Sequence, residues 1–312
     1  MAKKYLRGAA YALGEERRSY TDIVGFERAA QARKLPILPE ILGFGAFSVT
    51  RDVYQCASIS VGKSLALAKL TPSSIDQVIF CSSSFKERTF SERNVKVGKL
   101  LKNWDIAPQR ISGVSGSGCT DVLSSIDIAC ATLDLGSAHN VLIVAVEAFS
   151  VENDSERVLS HALISDAAVS MVVSDRSEHA STAPEWEIMG CEIASDVGEI
   201  GGGMSITQSS PNRDFIRNAV ERAGSKQTEI AKIFGNNVYL PIKTGREGVV
   251  GFSRSQMYLE NVRRTGHCLG CDSIINLVDF GRGEAGSRYV LYAEAEGHRG
   301  CATLLRGPVT SS

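Results

Sequence analysis

The sequence predicts an α/β fold. Three observations carry this. Short runs rich in Val and Ile are free of polar interruption, the stretches between them repeat apolar residues every three or four positions, and 312 residues suffice to bury a large core without disulfide or metal. Gln77-Val-Ile-Phe-Cys81 and Asn140-Val-Leu-Ile-Val-Ala-Val146 read as buried strands, and residues 58–69 and 120–135 read as helices. The second helix follows the turn Ser115-Gly-Ser-Gly118 and ends before Gly136, where a C-terminal glycine belongs. The polar stretch 175–185 reads as a loop between strands at 168–173 and 186–194. A glycine-rich segment (198–204), a helix (214–223) and strands at 289–294 and 302–305 follow. The halves 1–174 and 175–312 show a similar order of elements without a sequence repeat.

With 34 basic and 35 acidic residues the net charge is -1, and neither sign forms a block suited to nucleic acid or a membrane surface. No segment reaches the roughly 18 apolar residues of a bilayer span, and the start, Met-Ala-Lys-Lys-Tyr-Leu-Arg-Gly, lacks a signal-peptide apolar run. The expectation is a cytoplasmic enzyme whose cysteines (Cys56, Cys81, Cys119, Cys130, Cys191, Cys268, Cys271, Cys301) are reduced and mostly packed in the core.

Cys119 stands apart. Val114-Ser-Gly-Ser-Gly-Cys119-Thr-Asp places it on a tight turn at the head of an amphipathic helix, where backbone N–H groups and the positive helix end favour a thiolate. An acyl group held there as a thioester has its carbonyl near the Cys119 N–H, half of an oxyanion hole. On the residues alone, a small buried cysteine at a crowded turn is an equal alternative.

The stretch 114–150 resembles the nucleophile region of the β-ketoacyl-carrier-protein synthase III family: small residues before the cysteine, its helix, Gly136, an apolar strand and Glu147-Ala-Phe-Ser150. Ile164-Ser-Asp166-Ala-Ala resembles the family's Gly-Asp-Gly-Ala strand with glycines replaced, and Glu294-Ala-Glu-Gly297-His-Arg-Gly300 resembles its loop facing the cysteine. This implies a thiolase-like fold, two similar α/β halves with mixed central sheets in a layered α-β-α-β-α arrangement. It also implies Gly297 and His298 in an oxyanion loop, Arg157 at the thioester entrance, and a homodimer.

The family pairs its cysteine with a histidine in Pro-His-Gln-Ala-Asn and an asparagine in Gly-Asn-Thr-Ser. Here the two are exchanged: Asn236 of Phe-Gly-Asn236-Asn237-Val stands at the histidine position, and His267 of Thr-Gly-His267-Cys-Leu-Gly-Cys-Asp-Ser273 at the asparagine position. Imidazole and amide then supply a base and a neutral donor from traded places. Asn236 as a turn former and His267 as a solvated loop residue are the plain alternatives. His298 is the next base candidate; His139, His161 and His179 receive no chemistry.

The expected reaction is acyl transfer from a carrier-protein or coenzyme A thioester through Cys119 to an acceptor, in fatty-acid-like or polyketide metabolism. The alternatives are decarboxylative condensation, or a silent subunit that stabilises an active partner. No permanent cofactor is expected, and the aromatic–arginine pair that holds coenzyme A in relatives is missing around 42–48, which reads Leu-Gly-Phe-Gly-Ala-Phe-Ser. Lys86, Arg88, Arg93, Lys96, Lys99 and Lys102 offer charge to an acidic carrier, or form a solvated face. Cys268 and Cys271 lack a second ligand pair for zinc, and Gly201-Gly-Gly203 lacks nucleotide-binding spacing.

Overall fold

The computed structural model describes residues 2–84, 89–149, 151–177, 184–200 and 209–307. Its elements run β1 (Tyr5–Leu13), β2 (Glu16–Ser19), α1 (Phe26–Ala32), α2 (Pro39–Leu42), β3 (Ala46–Val49), α3 (Val53–Ala68), β4 (Gln77–Cys81), α4 (Phe90–Asn103), β5 (Arg110–Val114), α5 (Asp121–Asp134), β6 (Asn140–Glu147) and β7 (Ala167–Ser174). They continue with β8 (Trp186–Ser195), α6 (Ser209–Arg222), β9 (Ile230–Phe234), α7 (Leu240–Val249), α8 (Glu260–Arg264), α9 (Asp272–Phe280), β10 (Arg288–Ala295) and β11 (His298–Arg306).

β4, β6 and β7 are buried along their whole length, which is why their sequences carry little polar alternation. Asp52 starts α3 by accepting from Tyr54 N, and Thr89 starts α4 by accepting from Glu92 N. The helix expected at 120–135 is α5, preceded by a single 3-10 turn, Gly118–Thr120. The strand expected at 302–305 is longer, because β11 begins at His298 as the return arm of a hairpin whose first pair is Ala295–His298.

Nine strands form one hydrogen-bonded sheet in the order β5-β4-β6-β7-β1-β8-β11-β10-β9, while β2 and β3 pair separately. The junction is narrow: β1 and β8 share only Tyr5–Glu187 and Leu6–Trp186. On one side of it the strands lie, by chain order, third-second-fourth-fifth-first; on the other, β8, β9, β10 and β11 repeat that arrangement as first, second, fourth and fifth. The third place is filled by a single parallel bridge, Ile233 to Met257. Where two sheets were expected, hydrogen bonding thus joins two halves at one short seam.

The layering follows from the packing. α3 covers β1, β6 and β7, α5 touches strands of both halves, α9 lies on β1, β9 and β10, and α6 covers β8 and β11. The core accordingly has a central apolar cluster around α5 and α9, an outer one under α3 and α4, and another under α6. This is the thiolase-like α-β-α-β-α arrangement. It brings the N-terminal turns of α5 and α9, one from each half, face to face. Among the described residues no helix is long and apolar enough to cross a membrane.

Candidate active site

The turn before α5 presents Cys119. Thr120 closes it through N–H and Oγ1 bonds to Ser117 O (3.2 and 2.8 Å), and Asp121 Oδ1 accepts from Ser117 N at 3.0 Å. Gly118 has φ +58°, and a Cβ there would fall 2.8 Å from the Ala295 Cβ, so only glycine lets the end of β10 approach the cysteine this closely. Cys119 itself is half-buried.

His267 arrives from the other half. Its N–H donates to Leu163 O (2.8 Å) and its carbonyl accepts from Ser165 N (2.9 Å), which pins the segment beside 163–165. Gly266 makes that approach feasible: its φ is +67°, and a Cβ would lie 2.8 Å from Leu163 O. The imidazole Nε2 sits 3.6 Å from Cys119 Sγ, and Nδ1 sits 2.5 Å from Asp272 Oδ2. Asp272 is held in turn by Cys268 N (2.7 Å), Asn237 N (2.6 Å) and Asn237 Nδ2 (3.3 Å). Asn276 then fixes the Asn237 amide by donating to its Oδ1 at 3.0 Å.

Burial works against charge on His267, but the Asp272 carboxylate and the Cys119 sulfur outweigh it and raise the imidazole to about 10. Sulfur, imidazole and carboxylate form an unbroken relay. The carboxylate fixes the tautomer with N–H toward Asp272, leaving Nε2 to exchange a proton at the sulfur or at a group beside it.

Other predicted positions fall elsewhere. Asn236 is buried; its Oδ1 accepts from Glu294 N at 3.0 Å, and among the described residues no hydrogen bond joins it to Cys119 or His267. Arg157, expected at the thioester entrance, is 2 % exposed, and its guanidinium donates to both Asp166 oxygens (2.8 and 3.1 Å) and to Phe149 O (3.0 Å). The guanidinium is thus engaged in a buried ion pair with Asp166. Gly297 forms the β10–β11 turn and accepts from Asp196 N, and His298 Nδ1 lies 2.8 Å from Ser195 Oγ. Lys86, Arg88, Ser150, His179 and 201–204 lie outside the described residues. On α4, Lys96 rests over the Tyr54 ring.

Three groups escaped the sequence reading. Asp272 was legible only as a residue of the motif that carries His267. His161 stands with its ring 6.2 Å from that of His267, and burial first, then the charges of His267 and Arg246, push it down to about 4, so it is neutral. Glu147 ends β6 fully buried, accepting from Ser83 N (3.1 Å), Ser83 Oγ (2.9 Å) and Ser84 Oγ (2.6 Å). Burial lifts it to about 7 despite these bonds. Among the described residues no group of three or more His, Cys, Asp or Glu is arranged to hold a metal.

Against known proteins, residues 116–196 match the family 3-oxoacyl-[acyl-carrier-protein] synthase III. That stretch is similar to the synthase III family, and the chain as a whole has the thiolase-like fold of its structural neighbours. It is similar to the acyltransferase ChlB3 (TM-score 0.81, 14% identity, 98% of each chain covered) and to a variant of OleA from Xanthomonas campestris (0.79, 17%, 97% of this chain and 98% of that one). It is also similar to 3-oxoacyl-[acyl-carrier-protein] synthase III of Aquifex aeolicus VF5 (0.74, 16%, 97% and 99%). No curated protein sequence matches. At these identities the structural likeness speaks for the fold, and the chemistry has to be argued from the relay.

Proposed function

We propose that the protein is an acyltransferase that takes an acyl group from a carrier-protein or coenzyme A thioester onto Cys119 and passes it to a hydroxyl or amine. The observation that carries this is the Cys119–His267–Asp272 relay, with 3.6 Å from sulfur to imidazole and 2.5 Å from imidazole to carboxylate. In the first step the Cys119 sulfur attacks the thioester carbonyl; the donor's C–S bond breaks, and the departing thiol takes a proton from His267 Nε2. In the second, the acceptor's O–H or N–H gives its proton to Nε2 while its oxygen or nitrogen attacks the acyl carbon, and Cys119 leaves as thiolate. The Asp272 carboxylate, 2.5 Å from Nδ1, stabilises the imidazolium of each step.

Decarboxylative condensation needs two neutral donors on the thioester oxygen of the extender. A neutral imidazole made more basic by a buried carboxylate serves proton abstraction from an acceptor better. The silent-subunit reading leaves unexplained why a buried relay would be kept with five hydrogen-bond contacts on Asp272 and His267. The edge strand β5, with Ile111 about half exposed, supports a homodimer in which the sheet continues across subunits.

Intact-mass spectrometry after incubation with acyl-carrier and acyl-coenzyme A thioesters tests the assignment. Wild type should gain one acyl mass and Cys119→Ala none; acylation of the Ala variant, or of neither protein, removes the reading.

A further inference from the structure

Between β6 and β7 the chain makes a long excursion, residues 148–166, whose buried ion pair has no task in acyl transfer as described. Arg157 and Asp166 are 2 % and 0 % exposed and meet fork to fork, Nη1 on Oδ1 at 2.8 Å and Nη2 on Oδ2 at 3.1 Å. Asp166 also accepts from Phe149 N at 2.8 Å and from Thr50 N at 2.9 Å, while Arg157 Nη2 donates to Phe149 O at 3.0 Å. A carboxylate has about four lone-pair sites, and four N–H groups from three segments of the chain fill those of Asp166. Phe149 and Asp166 stand near the two ends of the excursion, so the pair clasps its neck.

Just inside that neck lies the strip that grips the base. His267 N donates to Leu163 O at 2.8 Å, and Ser165 N donates to His267 O at 2.9 Å, so both bonds flank Ile164, which pairs with His267 as a parallel bridge. The strip is tied to the clasp at each side. Ile164 N donates to Arg157 O at 2.9 Å, and Ser165 directly precedes Asp166, whose own N–H is held by Ser48 O at 2.8 Å. Ser48 N in turn donates to Ser165 Oγ at 2.8 Å. Moving either member of the ion pair therefore moves the two main-chain partners of His267.

This matters because nucleophile and base come from different halves. Cys119, Arg157 and Asp166 precede β8, His267 follows it, and the strand seam between the halves offers only two residue pairs. The contact of the strip with His267 is thus one of the links that bring Nε2 to 3.6 Å from the sulfur. A displacement of about 1 Å there can cost roughly a hundredfold in rate. Asp272 behaves differently: it sits five residues beyond His267 on the same local motif and travels with it.

We propose that Arg157 and Asp166 are positioning residues for the base: by clasping the neck of the excursion they hold residues 163–165 against His267 and so set the distance from its Nε2 to the Cys119 sulfur. This rests on the acyl-transfer reading and deepens it. The pair acts through His267 and touches neither donor nor acceptor.

The test uses the full chain as wild type, Arg157→Met and Arg157→Lys, each checked for a cooperative melt. Two quantities are read: the single-turnover rate at which acyl-Cys119 is lost, and the titration of the His267 ring in the unacylated protein, followed by NMR of labelled histidine between pH 6 and 11. His267 faces Asp272, Cys119 and His161, and the sulfur is one of the groups that raise it to about 10. In Arg157→Met the ring keeps Asp272 and loses the sulfur, so it should titrate lower than in wild type while acyl loss slows about a hundredfold. Arg157→Lys, which keeps the charge and loses the fork, should fall between the two. A folded Arg157→Met with the wild-type titration overturns the proposal, whatever its rate. So does a variant whose only defect is a higher donor concentration needed for loading, the mark of a residue that binds the thioester. Where Arg157→Met does not fold, Arg157→Lys decides by the same two readings, and wild-type values in both overturn it. Should Cys119 never take up an acyl group, the transfer reading fails separately and the His267 titration alone decides: a lowered value in the variants sustains the positioning role, and an unchanged one removes it.

Discussion

Asp272 holds the imidazole of His267 from only five residues further along the chain, with Oδ2 2.5 Å from Nδ1. The reach back is made by the 3-10 turn Leu269–Cys271, which reverses the chain before α9 and points the first carboxylate of that helix at the histidine that precedes the turn. The geometry is reinforced by Cys268 N, which donates to the other oxygen of the same carboxylate. Base and orienter thus come from one local motif, and only the nucleophile has to be delivered across the molecule.

Asp272→Asn keeps the shape of the side chain and removes its charge. His267 then loses the carboxylate that raises it against burial, and its tautomer is no longer enforced. Discharge of acyl-Cys119 should slow by a factor on the order of 100 to 10,000, the usual worth of a positioned acid or base. Rapid-quench mass spectrometry checks it, and an unchanged rate would mean the relay is ornamental. Asp272→Ala is less informative, because it strips the acceptor from His267 Nδ1, Cys268 N, Asn237 N and Asn237 Nδ2 at once. Each buried donor left unpaired costs about 1–3 kcal/mol.

The pH dependence differs between the two half-reactions. In the free enzyme His267 stays charged up to about 10 because Asp272 and the Cys119 sulfur both favour the cation over the opposing effect of burial. Acylation removes the contribution of the sulfur, so the imidazole of the acyl-enzyme titrates lower and becomes available as a base. Acyl loss should therefore rise with pH and level off at an apparent pKa below about 10. Single-turnover rates between pH 5 and 10 measure this, and a flat profile contradicts it. Stability has its own sign. His267 has a folded value above its ordinary 6.5, so its contribution is complete below 6.5 and fades as pH climbs toward about 10. In a comparison of wild type with His267→Gln, the melting-temperature gap should narrow over that window.

Gly118→Ala tests the approach of β10 to the nucleophile. The backbone there is left-handed, and the added methyl would meet Ala295 at 2.8 Å. The left-handed conformation alone costs an L-residue about 1–2 kcal/mol. Relief by moving the turn displaces Cys119, and a shift of about 1 Å can cost roughly a hundredfold in rate. The variant should fold with a melting temperature lowered by several degrees, and acylation of Cys119 should fall far more than that loss explains. Wild-type acylation in a folded Gly118→Ala protein would show that the contact is unimportant.

How much of this was legible in the sequence depends on range. The buried strands β4 and β6 could be read from apolar runs, and α5 from its periodicity and the left-handed Gly136 behind it, because these signals are local. The pairing of β1 with β8, which joins the halves, involves two residue pairs and leaves no local trace. Cys119 and His267 could be singled out by residue type and motif position, yet their meeting requires α5 and α9 to be stacked between the halves. Asp272 was passed over because a carboxylate on the first turn of a helix has an ordinary explanation as a complement to the helix dipole. Burial, which makes His161 a neighbour of His267 and ties Arg157 into an ion pair with Asp166, is not written in residue identity.

Glu147 gives the last prediction. Its carboxylate lies beneath the site, near enough that a Cβ on Gly270 would sit 3.2 Å from Oε1 and 3.5 Å from the Cys119 carbonyl. Burial raises it from 4.5 to about 7, only partly offset by bonds from Ser84 and Ser83. Between about 4.5 and 7 the folded protein therefore keeps a proton that the unfolded chain has released, and stability falls as pH rises through that window. The cost of holding the ionised carboxylate above pH 7 is on the order of 3 kcal/mol, from the size of the shift. Glu147→Gln removes the charge and keeps the shape: its carbonyl can take the Ser83 N–H, and its NH2 can donate to serine hydroxyls that turn to accept. Wild type and the Gln variant should thus have similar melting temperatures near pH 4.5, and the variant should become the more stable as pH rises to 7.5. Differential scanning calorimetry of the pair measures that divergence directly, with titration of every other group common to both proteins. Parallel curves would show that the carboxylate is solvated or compensated, and that the serine cage around it does not set the balance of charge under Cys119.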